Sequence, residues 1–162
     1  EAKGTLIYNN IAEPSIKAVA AKDNVIAIKI KSSRMLLAYG FLTRVFETFE
    51  KYKTPIDMIA TSEVGVSLSI DSDRYLPEIV DELKQFGTVS VDKNMVIIAV
   101  VGNMEWTNTG YEARAIQALA DIPVRMISYG GSNFNISFLI RQEDKVRALK
   151  MLSQKLFNDT EA

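Results

Sequence analysis

Two short stretches hold the residue types best suited to binding a small charged molecule. Met35-Leu36-Leu37-Ala38-Tyr39-Gly40-Phe41-Leu42 reads as a loop entering a helix. The first amide N–H groups of a helix lack intrahelical partners and suit a carboxylate. In Ile56-Asp57-Met58-Ile59-Ala60-Thr61-Ser62-Glu63-Val64, an acid opens an apolar strand, and a carboxylate suits an ammonium. Together they fit an amino-acid zwitterion, provided the loop after the first strand and the start of the second strand meet at one end of a sheet. The local alternative for Asp57 is to cap its strand or to pair with a surface lysine.

Other chemistry is sharply limited. The 162 residues contain no Cys and no His, which excludes disulfides, thiolate nucleophiles, Cys/His zinc sites and imidazole acid/base catalysis. Neither phosphate-loop nor dinucleotide glycine pattern occurs. Asp71, Asp73 and Glu78 sit where a helix N-terminus is wanted, and capping explains them better than a metal. Lys145, Arg147, Lys150 and Lys155 read as the solvated face of a helix. A formal charge of −1 argues against a nucleic-acid partner. No apolar run spans a bilayer and no secretory signal opens the chain, so a cytoplasmic protein without a membrane partner is expected.

The elements that must position these residues repeat. Val25–Ile30 alternates as a strand; Leu42, Val45, Phe46 and Phe49 mark a helix face; Pro55 ends that segment. Ile56–Thr61 and Val64–Ile70 are strands around a tight turn near Gly65, Leu76, Ile79, Val80 and Leu83 make a helix, and Thr88–Val91 closes the unit. Met95–Val101, a helix over Tyr111–Ala120 with Ala113, Ile116 and Ala120 on one side, Val124–Tyr129 and Asn135–Ile140 repeat the order. A last helix carries Val146, Leu149, Leu152 and Leu156, and no closing strand follows it. Ile16–Ala21 is a spare strand able to supply that edge. The expected fold is α+β: two ferredoxin-like βαββαβ units, the first inserted into the second. Met95–Val101 is apolar on both faces, so its second face should meet another subunit or the other repeat.

These residues resemble a known family, the aspartokinases, in their C-terminal pair of ACT domains. The resemblance rests on Gly4-Thr5-Leu6, Gly40-Phe41-Leu42 with Val45-Phe46, and Thr61-Ser62-Glu63-Val64 with Val66-Ser67-Leu68 and Asp71. It continues through Met126-Ile127-Ser128-Tyr129-Gly130 and Ser132-Asn133 with Asn135-Ile136-Ser137-Phe138-Leu139. The strings are most similar to the lysine-sensitive monofunctional branch. Leu37-Ala38 depart from it, standing where some relatives carry two polar residues.

The resemblance implies a first ACT domain over residues 24–93, a discontinuous second one over 15–23 plus 94–158, a linker over 1–14 and a tail over 159–162. It implies an aspartate kinase as parent enzyme, with the ATP- and Mg-dependent kinase domain preceding Glu1, and no catalytic residue or cofactor in this part. It places L-lysine as allosteric ligand against Met35, Gly40, Phe41, Leu42, Ile56, Asp57, Thr61, Ser62, Glu63 and Val64. It also implies a homodimer through ACT domains and feedback inhibition of amino-acid biosynthesis. A sensor of threonine or another amino acid is the alternative. A stand-alone enzyme using Asp57 and Glu63 lacks a second convergent group, and no strand carries the basic, aromatic pattern of RNA-recognition motifs.

Overall fold

A computed structural model describes residues 16–32 and 39–158. Met35, Leu37-Ala38, Gly4-Thr5-Leu6, the linker over 1–14 and the tail over 159–162 lie outside the described residues. The order is β1 (Ile16–Lys31), α1 (Phe41–Lys51), β2 (Met58–Ser62), β3 (Gly65–Ile70), α2 (Leu76–Leu83), β4 (Thr88–Gly102), α3 (Tyr111–Ala118), β5 (Val124–Ser128), β6 (Asn135–Arg141) and α4 (Lys145–Ser153). The six strands form one antiparallel sheet ordered β2-β3-β1-β4-β6-β5, so the fold is α+β. No helix among the described residues is long and apolar enough to cross a membrane.

Eight separate strands were expected, and the described residues form six. Ile16–Ala21 and Val25–Ile30 are one strand, as are Thr88–Val91 and Met95–Val101, because β1 and β4 pair along both their halves. Where the halves join, the register shifts between Lys22 and Ala27. Asn24 and Asn94 take φ of 59° and 56° there, and Asn is among the side chains that tolerate this left-handed conformation best. The chain bulges and bends without breaking its ladder.

Alternation along the strands feeds three cores. Ile26, Ile28, Ile30, Val66, Leu68 and Ile70 face Val45, Phe49, Leu76, Ile79 and Leu83 of α1 and α2. Val96, Ile98, Val100, Ile136, Phe138 and Ile140 do the same for Ala115, Ala118, Ala148 and Leu152 of α3 and α4. The intervening residues Val25, Ala27, Met58, Met95, Ile97, Met126 and Leu139 form the third core. Met58 and Met126 lie on β2 and β5, the two ends of the strand order, so the sheet folds back until its helix-free faces meet. The second apolar face of Met95–Val101 is therefore covered at Met95 and Ile97 by the same chain, and that strand alone gives no reason for a dimer.

Three helix faces differ in detail from their expected form. Leu42 and Phe46 are each 42% exposed, leaving Val45 and Phe49 as the buried stripe of α1. In α3 the face is Ala115, Ala118, Leu119 and Ile122, while Ile116 points out. That i, i+3, i+4, i+7 set runs past the helix end, so the core is completed by the turn after α3. In α4, Ala148 is buried and Val146 exposed, because the small residue allows the closer approach to the sheet.

Candidate functional site

The site begins at two glycines. Gly40 caps α1 with φ 84°, and among the described residues no side-chain cap bond meets the first turn, which also holds no acid. Gly65 opens β3 directly after the Glu63-Val64 turn; a Cβ there would stand 2.7 Å from the carbonyl oxygen of Ile30. The ladder then closes with Ser32 N–H donating to Val64 O at 2.9 Å.

Between these points lies a cavity of about 160 Å³ lined by Ser32, Phe41, Leu42, Thr61, Ser62, Glu63, Val64, Gly65 and Val66. It joins the open start of α1 to the polar end of β2, so Phe41, Leu42, Thr61, Ser62, Glu63 and Val64 converge as expected, with Gly40 immediately before them. Backbone N–H groups and the Thr61 and Ser62 hydroxyls can meet a carboxylate, beside the apolar Phe41 and Leu42 side chains. Ser32, Gly65 and Val66 were not anticipated. Their signal in the sequence is only that they flank the expected stretches.

Ile56 and Asp57 are elsewhere. β1 and β2 both pair antiparallel with β3, so they run parallel, and the loop after β1 meets the end of β2 instead of its start. Met58 pairs with Ser69 and Ser62 with Gly65, which sets Asp57 four residues, about 14 Å, from Thr61 in the same chain. The expectation that loop and strand start share one end was wrong in its geometry. Ile56 packs against the first helix-side core.

Asp57 takes the local partner weighed for it, a lysine. Lys22 Nζ lies 2.6 Å from Asp57 Oδ1 and 2.9 Å from Asp71 Oδ2. The Asp57 carboxylate foremost, then that of Asp71, holds the Lys22 ammonium above its ordinary value of 10.5. The ammonium in turn holds Asp71 below 3.8. Asp71 therefore pairs with Lys22 and does not cap α2; Tyr75 is that helix's N-cap residue and makes no side-chain cap bond, and Asp73 reaches toward Lys93 at 3.7 Å. Neither Lys22 nor its bridging role was legible from spacing, since 35 residues separate it from Asp57.

The second half holds a counterpart of opposite sign. Asp92 and Lys22 each stand two residues before a left-handed Asn, and Arg125 and Asp57 each precede a methionine of the shared core. Arg125 Nε donates to Asp92 Oδ2 at 2.7 Å. The β5 register skips Arg125 between Val124 and Met126, a bulge that re-aims its side chain.

Known proteins share this fold. The ACT domain family matches residues 98–156. A solved structure assigned as the C-terminal regulatory domain of aspartate kinase from Porphyromonas gingivalis W83 is 57% identical, with a TM-score of 0.79 over 87% of this chain and 97% of that one. This chain belongs to the C-terminal regulatory regions of the aspartokinases. The aspartokinase of Candida albicans is 41% identical over 88% of this chain and 27% of its own length. Escherichia coli aspartokinase III, solved with lysine and aspartate in its T-state, has a TM-score of 0.83 at 31% identity, over 95% of this chain and 36% of that one. The chain spans between 27% and 37% of the length of the curated aspartokinases it matches.

Proposed function

We propose that this chain is the amino-acid-sensing region of an aspartokinase and that its effector is L-lysine. The observation that carries the reading is the cavity at the Gly40-capped start of α1, open beside β2. Lysine bound to the E. coli relative supports it. The chain would act as two ACT units, residues 24–93 and residues 15–23 with 94–158. The strand orders β2-β3-β1-β4 and β1-β4-β6-β5 support that division, each being a four-stranded ferredoxin-like arrangement. Phosphotransfer from ATP to the aspartate side chain, with Mg2+, belongs in this reading to other parts of a cytoplasmic enzyme. The chain itself would only restrain it.

Asp57 enters the site through a second copy. β2 is an edge strand among the described residues, and Leu42 and Val64, which line the cavity beside it, are exposed. A two-fold axis through Ile59 would pair β2 antiparallel with itself and set Asp57 opposite the partner's Thr61. Residues 57, 59 and 61 share parity, and Ile59 packs toward the helix side, where the cavity lies. The homodimer so formed would bring carboxylate-binding amides and an ammonium-binding acid together, and neither copy could do so alone. A lysine side chain leaving water needs that acid, since desolvation otherwise opposes binding.

Calorimetry with L-lysine tests this. Asp57→Ala should weaken binding by roughly 2–5 kcal/mol, the range for truncating one partner of a buried charge pair. Equal affinity in both proteins removes Asp57 from the site. The cavity in one copy is smaller than the roughly 300–1,000 Å³ of ordinary ligand pockets, which favours threonine as the second reading. Heat with threonine and none with lysine would select it.

A further inference from the structure

We propose that Lys22 is an internal occupant of the effector's ammonium site, which L-lysine must displace from Asp57 in order to bind. The inference rests on the lysine reading above and adds a residue that sets its affinity.

The geometry is that of an ammonium already in place. Lys22 Nζ sits 2.6 Å from Asp57 Oδ1, closer than to Asp71 at 2.9 Å. The contact is breakable: the Lys22 side chain is 44% exposed, and exposed pairs are weak and screened. Lys22 also has somewhere to go, because Asp71 retains it when Asp57 is taken.

Fold stability does not dictate the polarity. In the second half the same junction is closed by Asp92 and Arg125, with the cation on the β5 side and the acid on the long strand. Either sign holds the two halves together. Only the first half's choice leaves a carboxylate on the edge strand, already shown to accept an alkylammonium. Lys22 lies at the bulge where β1 leaves Ile97 for Met95, and so passes from the second half to the first. Displacing it unties β1 from the start of β2, and an event at the effector site then reaches the joint between halves.

The test is calorimetry of L-lysine on the wild-type chain, Lys22→Met, Lys22→Arg, Asp71→Asn and Asp57→Ala, each first shown folded by circular dichroism. Lys22→Met should bind lysine roughly two- to fivefold tighter, the range of an exposed ion pair. Lys22→Arg should stay near wild type. Asp71→Asn should bind more weakly, because Lys22 then has only Asp57, and this loss should shrink when combined with Lys22→Met. Structural damage would weaken every variant, so the opposite signs are diagnostic. Unchanged or weaker binding in Lys22→Met, with binding lost in Asp57→Ala, overturns the displacement role and leaves the lysine reading standing. Absence of lysine binding in every protein, Lys22→Met included, overturns the lysine reading and this inference with it.

Discussion

The two halves of the molecule are built on one plan and differ where function would lie. After the central strand of the first half, Ser32 N–H bonds Val64 O and a cavity follows. At the same place in the second half, Gly102 N–H bonds Phe134 O, and Met104 N–H donates to Asn133 O at 2.8 Å. Met104 is then buried in that half's core, 1% exposed. Gly40 and Gly110 cap their helices identically, with φ of 84° and 94°. Among the described residues the repeat keeps its frame and helix starts, and in the second half a single buried side chain, Met104, seals this place.

The seal is the part of this comparison with the largest expected effect when broken. Met104→Ala should destabilise the chain by roughly 2–5 kcal/mol in urea unfolding, the usual cost of emptying a well-packed core position. A loss below 1 kcal/mol would mean that Met104 fills no more than a surface groove. Next comes the entry to β3, where Gly65 corresponds to Asn135. Gly65→Ala forces a Cβ against the Ile30 carbonyl and should cost about 1–3 kcal/mol. Asn135→Ala should cost about 1 kcal/mol, since it removes only a part-buried hydrogen bond to Ser137. The reverse order in thermal denaturation would refute the close approach at Gly65.

Periodicity made most of the frame legible. Strand alternation at Val25–Ile30 and Val64–Ile70 identified the core residues, and the repeated order of strands and helices identified two copies of one unit. Direction along the strands was not legible. Asp57 and Gly40 come together only if the loop after the first strand and the start of the second share one end of the sheet, yet parallel strands put their starts at one end and their finishes at the other. The ion pairs were equally silent, because Lys22 meets Asp57 only after β1 and β3 have ordered β2. Leu42 and Phe46 were read as core from spacing alone, and a helical stripe is written the same way whether a sheet or a partner covers it.

The smallest effects concern the junction charges. Lys22→Met should reduce stability by well under 1 kcal/mol, given the exposure of all three groups. Lys22→Asp combined with Asp57→Arg copies the second half's polarity and should recover stability that either change loses alone. The pH dependence has a defined sign. Asp71 is depressed by Lys22, so its contribution is present above its ordinary value of 3.8 and disappears as pH falls through its folded value. Lys22 is raised, so its contribution is present below 10.5 and disappears as pH rises through its folded value. Wild type and Lys22→Met should differ in melting temperature between these limits and converge outside them; a constant difference at every pH would show that the junction is not electrostatic.

The central claim is that an effector site is shared, with the cavity of one copy and Asp57 of the other. Mixing two defective proteins tests it most directly. Asp57→Ala keeps the cavity, and Ser62→Trp fills the cavity while keeping Asp57; each alone should give no heat with L-lysine. Mixed and allowed to exchange subunits, they form heterodimers in which one site has both wild-type parts. Binding should return at roughly a quarter of the wild-type stoichiometry, with wild-type affinity. A mixture as silent as its components, in the presence of demonstrated heterodimers, would contradict the shared site.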